Sequence, residues 1–331
     1  MFLTEANVLH YLLSKRFAAA EDVVSGNFLV RGLSRRNHNF RVTSGAREYL
    51  VKQVRKWDAE GRASLEREAA VYWQARTNPS LAPVSDLAPR SHAWDPSNAV
   101  LILEYLPEHT ELYDLPDRFA PQLALLAGQS MGAFHRAMES EEHRAWFPAE
   151  LPSQLSMHET KEEDLADESG GRREFARAVR KYADFGQALD QLRSQWREET
   201  VIQGDWKLDN CLISPSRDRL RVVDWEFAGW GDPAWDLATL LQSYWNFWVL
   251  WPARYRIVEI RPALRAALAG YGRPDIAERA IRFAGARMLQ TAFERLDKAE
   301  HMTPEAVRLM QASLNILTRP EWAAELLLGM S

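Results

Sequence analysis

Two stretches decide the reading: QGDWKLDNCLI at 203–213 and RVVDWEFAGWGDPAWDLATLL at 221–241. In the first, Asp205 and Asn210 stand five positions apart in a tight loop between short apolar runs. In the second, Asp224 follows another apolar run at 220–223. Isolated Asp and Asn residues commonly do no more than cap turns. An ordered set on loops after buried strands is harder to explain that way. The set meets the needs of phosphoryl transfer, which requires an acceptor for a hydroxyl proton and hard oxygen ligands for a phosphate-bound cation. On this reading Asp205 takes the proton, Asn210 and Asp224 hold magnesium, and Glu226 adds a nearby carboxylate.

Working outward, the first hundred residues alternate β-rich runs with turns, and the rest reads mainly as helix. Residues 27–33, 38–43 and 48–54 read as three short strands. Residues 63–76 have helical apolar spacing. Pro79, Pro83 and Pro89 mark a loop before a buried strand at 99–103. Helices are expected at 120–138 and 172–196, and a mobile acidic connection at 156–171. A strand–loop–strand–turn–strand segment then spans 200–224, followed by helices. A β-rich front and helical back predict an α+β protein of two lobes with a cleft between them.

The quoted stretches resemble the aminoglycoside phosphotransferase and choline kinase group, relatives of the protein kinases. That group's pattern runs His-Gly-Asp, four residues, Asn, then Asp-x-Glu and Gly-Asp-Pro-x-x-Asp-Leu-Ala. Here the elements are Gly204-Asp205, Asn210, Asp224-Trp225-Glu226 and Gly231-Asp232-Pro233-Ala234-Trp235-Asp236-Leu237-Ala238. One departure stands out: Gln203 replaces the usual His, and Gln can still donate and accept hydrogen bonds. The resemblance covers 25–300 with gaps and is specific from 203 to 238. It implies a two-lobed protein-kinase-like fold, with a nucleotide-binding lobe at 1–106 and a helical lobe at 107–331. It further implies ATP and Mg2+, and an acceptor hydroxyl on a small molecule or a peptide Ser/Thr.

The same resemblance assigns roles along the chain. Lys52, on the third strand, corresponds to the lysine that binds the α- and β-phosphates. Glu68 corresponds to the helix glutamate that pairs with it, ahead of Glu66. A strand Lys and a helix Glu are more often solvated surface charges, and only the downstream motif tips the balance. The loop 32–39 takes the place of a phosphate-covering loop, with Ser34, Asn37, Arg35 or Arg36 as candidate contacts and an ordinary polar hairpin as the rival reading. Backbone groups around Glu104 and Leu106 take the place of the adenine-binding connection. Lys207 sits where Ser/Thr protein kinases carry a lysine that contacts the transferred phosphate. Asp236 is expected to bond the catalytic-loop amides, and His135 to pack.

Composition sets limits. The chain has 331 residues, 46% of them hydrophobic and 26% charged, enough for a sizeable core. A net charge of −5 gives no basic face for nucleic acid. The single cysteine, Cys211, excludes an intrachain disulfide and reads as a small buried thiol in a reducing compartment. Residues 1–16 read as an amphipathic helix capped by Thr4, and the Trp-rich run before Pro252 is too short to span a bilayer. No membrane association and a cytoplasmic location are therefore expected. The eight histidines lack metal-ligand spacing. The acidic run 159–168 reads as a solvated loop, with a lid for cationic substrates as the alternative. Residues 243–252 read mainly as core, some aromatics lining the acceptor pocket. The region 245–270 carries Arg254, Arg256, Arg261 and Arg265 against Glu259, which argues against a polycationic aminoglycoside acceptor. The rival functions are a nucleotide-binding pseudokinase, suggested by Gln203, and an aminoglycoside-type O-phosphotransferase.

Overall fold

Apolar side chains at every second position organise the amino-terminal sheet. The computed structural model describes residues 2–33, 38–54 and 59–329. In it α1 (Val8–Ser14) and α2 (Ala20–Val24) precede β1 (Phe28–Gly32), β2 (His38–Ser44) and β3 (Arg47–Gln53). After α3 (Ala59–Thr77) and α4 (Ala82–Leu87) come β4 (Ser91–Asp95) and β5 (Val100–Glu104). The five strands form one sheet in the order β1-β2-β3-β5-β4, with antiparallel neighbours throughout. Phe40, Val42, Tyr49, Val51, Val100 and Ile102 form a core with Leu3 and with Val8, Tyr11 and Leu12 of α1. Lys52 has the opposite parity to Tyr49 and Val51, so strand alternation turns it away from that core. It is nevertheless buried, because α3 lies there: Leu65, Glu68, Ala69 and Tyr72 form the buried stripe of α3 at helical spacing.

This first compact unit comprises Met1–Thr110, Leu212–Ser216 and Arg221–Ala228; the second comprises Glu111–Cys211, Arg217–Leu220 and Gly229–Ser331. Short strands β6 (Thr110–Glu111), β7 (Thr200–Ile202), β8 (Cys211–Ile213), β9 (Leu220–Val222) and β10 (Gly229–Gly231) punctuate the remainder. Helices α5 (Pro121–Ala137), α6 (Glu141–Arg144), α7 (Gly170–Lys181) and α8 (Ala183–Ser194) precede β7. Helices α9 (Pro233–Leu250), α10 (Ile257–Tyr271), α11 (Ala277–Arg295), α12 (Pro304–Thr318) and α13 (Pro320–Leu328) complete the chain. Glycines let α5 and α10 approach closely: a Cβ on Gly128 would collide with the Ala267 carbonyl, and one on Gly132 with that of Tyr271. The crossing brings His135, near the end of α5, to Tyr271 at the end of α10. Helix α9 is buried nearly all round, as an apolar helix in a core should be. No helix among the described residues is long and apolar enough to cross a membrane.

Several sequence expectations need correction. The single helix at 172–196 is two helices, because Tyr182 is extended and serves as C-cap of one and N-cap of the next. The apolar stripe had already lost phase there: Val179 and Phe185 lie six apart, which is no helical repeat. The proline loop contains α4, whose first turn accommodates Pro83. Residues 1–16 form a helix only from Val8; Thr4 bonds Asn7 reciprocally, through Thr4 N to Asn7 Oδ1 at 2.7 Å and Asn7 N to Thr4 Oγ1 at 3.3 Å. The acidic connection is no bare loop. It forms 3₁₀ turns at Ser153–Glu159 and Glu163–Leu165, with Leu155 and Leu165 buried.

Candidate active site

In the first unit a buried cation joins two carboxylates. Lys52 Nζ donates to Glu68 Oε2 at 2.6 Å and to Asp224 Oδ1 at 2.7 Å. The Lys52 side chain is 4% exposed and that of Asp224 is 48% exposed. Burial opposes the lysine charge, but Glu68 and Asp224 outweigh it and hold the ammonium above the ordinary lysine range. Burial pushes the Glu68 carboxyl up to about 7, with Lys52 pulling the other way. Asp224 follows β9 in a left-handed conformation, φ 57° and ψ 63°, which non-glycine residues rarely adopt. Such strain persists only where surroundings impose it. Here a 3₁₀ turn, Trp225–Phe227, packs on α3 directly afterwards, and Trp225 Nε1 donates to the Val222 carbonyl at 2.8 Å. Glu226 accepts a hydrogen bond from Ser64 of α3. Glu66 is exposed, so Glu68 is the partner of Lys52.

In the second unit a loop after β7 is pinned from below. Asp236, fully buried on the first turn of α9, accepts from Gln203 N at 2.7 Å and Gly204 N at 2.8 Å. Its Oδ2 also takes the Nε2–H of His135 at 3.1 Å, while His135 Nδ1 lies 3.0 Å from the Tyr271 hydroxyl. Gly204 has φ +86°, a turn that glycine makes without a Cβ clash. Trp235 Nε1 donates to the Gly204 carbonyl at 3.0 Å. Gln203, where His was expected, accepts from Asp205 N through its Oε1 at 2.8 Å, so it braces the loop.

The loop presents Asp205 with both carboxylate oxygens on cations. Arg287 Nη2 lies 2.5 Å from Oδ1 and Lys207 Nζ 2.6 Å from Oδ2. Burial works against the Lys207 charge, but Asp205 raises its pKa on balance. Asn210 donates its amide N–H to the Asp205 carbonyl at 2.9 Å and to Oδ2 at 3.3 Å. That leaves the amide oxygen of Asn210 as its donor atom for a cation.

A model of the phosphotransferase enzyme family matches residues 29–283. The chain belongs to the phosphotransferase enzyme family. Solved structures of kinases share its fold. A Plasmodium vivax ethanolamine kinase superposes with a TM-score of 0.63 at 14% identity, covering 96% of this chain and 88% of that one. An amicoumacin kinase in complex with AMP-PNP, Ca2+ and Ami gives 0.60 at 12% identity, covering 93% and 96%. The fold is kinase-like, with an antiparallel sheet unit and a helical unit. Among curated proteins, acyl-CoA dehydrogenase family member 11 of Rattus norvegicus is 41% identical over 71 residues, 18% of this chain. The chain spans 9% of the length of that relative.

The remaining family expectations fare unevenly. Ser34 and Asn37, with Arg35 and Arg36, lie outside the described residues. The backbone N–H of Glu104 donates to the Arg90 carbonyl at 2.8 Å and the Leu106 carbonyl accepts from His109 N at 3.2 Å, so two groups of that connection already have partners. Three of the arginines of 245–270 have partners within the chain. Arg261 donates to the Leu326 carbonyl and Arg265 to those of Leu328 and Gly329, closing the end of α13, while Arg256 pairs with Glu259. Glu159, Glu162 and Glu168 are taken by Arg193, Arg177 with Arg180, and Arg172, so these three acids of the run already have cationic partners. His158, Glu159 and Asp190 cluster within metal-ligand reach, which spacing had not suggested, but Arg193 bonds both carboxylates. Tyr244, Trp245 and Phe247 are core. Cys211 is buried, which pushes its thiol pKa far up and leaves it inert. Sequence reasoning missed Arg287, whose only signal, shared with Arg282, is an arginine inside the otherwise apolar run Ala280–Leu289 of α11.

Proposed function

We propose that this protein is an ATP- and magnesium-dependent kinase that phosphorylates a hydroxyl on a small molecule or a peptide Ser/Thr. The observation that carries the reading is Lys52, buried and shared between Glu68 and Asp224 at 2.6 and 2.7 Å. A lysine so poised suits nucleotide phosphates, and the AMP-PNP and Ca2+ of the related amicoumacin kinase support a nucleotide and a divalent cation here. Residues 1–106 would carry the nucleotide and 107–331 the acceptor, with backbone groups around Glu104 and Leu106 bonding adenine. Ser34 and Asn37 would add phosphate contacts.

Each proposed donor is chemically suited to magnesium. Asn210 offers its amide oxygen and Asp224 a half-exposed carboxylate, both hard oxygen ligands. A bound divalent cation would supply neutralisation of the phosphate charge. Asp205 would accept the hydrogen of the acceptor hydroxyl and aim its oxygen at the γ-phosphorus. As that oxygen–phosphorus bond forms, the bond from phosphorus to the β–γ bridging oxygen breaks. The electron pair leaves on ADP and the proton passes to the Asp205 carboxylate. Lys207 would turn from Asp205 to the transferring phosphoryl group. General-base assistance of this type is worth about 10²–10⁴-fold, and positioning and charge neutralisation supply much of the rest.

The acceptor is neutral or anionic near its hydroxyl, because two cations already face Asp205, and Glu159, Glu162 and Glu168 of the acidic run are engaged by arginines. The decisive experiment is transfer from γ-labelled ATP, with magnesium, to a panel of hydroxyl acceptors. Asp205→Asn should bind ATP within a few-fold of the parent and lose transfer. Parent-like turnover in that variant would overturn the assignment.

A further inference from the structure

We propose that Arg287 is a positioning residue for Asp205: its guanidinium locks Oδ1, so that Oδ2 is the oxygen that receives the acceptor proton. The inference rests on the phosphotransferase reading above and adds to it which carboxylate oxygen works and what holds it.

Asp205 has two cationic neighbours, and they differ in kind. Lys207 is 38% exposed, on a flexible four-carbon stem, and occupies Oδ2. Such a group can leave when a phosphate arrives. Arg287 is 8% exposed and held at several points. Its Nη2 is on Oδ1 at 2.5 Å, and its Nη1 bonds Gln290 Oε1. Its guanidinium carbon stands 5.4 Å from the Trp235 ring centroid. Gln290 is fixed in turn by Gln154 at 2.6 Å and by Glu294 at 2.6 Å. Trp235 also bonds the Gly204 carbonyl, so one indole braces the loop backbone and the arginine that orients the loop's aspartate.

Charge balance alone does not call for this construction, because Lys207 already neutralises the carboxylate. Burying a second cation there costs solvation that only a well-made pair offsets. With one nitrogen on Oδ1 and another on Gln290, the planar guanidinium is itself fixed in direction and holds Oδ1 from a set side, which a freely rotating ammonium would not do. Fixing one oxygen leaves the other with a defined direction, which is what in-line attack needs. Misplacing a reacting group by an ångström can cost about 10²-fold in rate.

The test uses the full chain with saturating ATP and magnesium and the best acceptor from the panel. Arg287→Gln should lower kcat by about 10²-fold while KM for ATP stays within a few-fold. Free guanidinium ion should restore part of the lost rate to Arg287→Ala. Arg287→Lys, which keeps the charge without the second nitrogen that bonds Gln290, should remain well below the parent. It also serves where the Gln and Ala variants do not fold. Full activity in Arg287→Lys would reduce the residue to a counter-charge and overturn the proposal. An Arg287→Gln enzyme with unchanged kcat would do the same. The underlying reading is tested separately, by transfer in the parent and its loss in Asp205→Asn.

Discussion

Lys52 Nζ and Asp224 Oδ1 meet at 2.7 Å although 172 residues separate them in the chain. The contact joins the sheet's third strand to the turn after β9, and it ties the lysine to the aspartate proposed to hold metal. If Asp224 holds the divalent cation, Asp224→Ala should abolish the magnesium-dependent tightening of ATP binding. Calorimetric titrations with and without magnesium would show it. Equal magnesium dependence in variant and parent would place the metal elsewhere.

Asp236 should act through structure. Its removal takes away the acceptor that the Gln203 and Gly204 amides and His135 Nε2 share. Each buried orphan costs about 1–3 kcal/mol. Asp236→Ala should therefore lower the urea midpoint and Tm clearly. Lost activity with an unchanged Tm would instead put Asp236 in contact with the reacting groups.

Glu68 gives a pH signature. Its folded carboxyl is raised from 4.5 to about 7, chiefly by burial. The folded chain then holds this proton more tightly than the unfolded one. The resulting stability is present below about 4.5 and is lost as pH rises through about 7. Urea unfolding of the parent and of Glu68→Gln at several pH values isolates the effect. The parent's stability relative to the variant should fall between pH 5 and pH 8, and a rise over that interval would refute it.

Aminoglycosides should be poor acceptors. Arg287 and Lys207 face Asp205, and carboxylates of the acidic run are engaged by arginines. A cationic group placed there would be buried without a partner, at a cost of about 3–5 kcal/mol, or at least 10²-fold. Competition among labelled-ATP acceptors of matched size would measure it. Efficient phosphorylation of kanamycin-like compounds would sink the prediction.

The acidic loop residues were legible because their roles depend on short-range spacing. Asp205, Lys207 and Asn210 lie on one loop, and the Asp232–Pro233 cap and Asp236 share the start of one helix. Lys52 could be placed on a strand, and Glu68 on a helix, from local periodicity. The strands of the first sheet were legible for the same reason, since alternation is a property of neighbours.

Long-range matters were decided by folding. Which face of β3 would be covered by α3, and so whether Lys52 would be buried or solvated, depends on packing. Arg287 meets Asp205 from 82 positions away, and no local pattern marks it beyond its apolar surroundings. The arginines of α10 looked like a basic surface in sequence, but Arg261 and Arg265 serve the carbonyls ending α13. Sequence by itself determined the chemical groups and their local geometry, because those follow from backbone periodicity and turn chemistry. Only the tertiary structure decided which charge each group would meet, because an ion pair forms between whatever side chains packing brings within reach, whatever their distance along the chain.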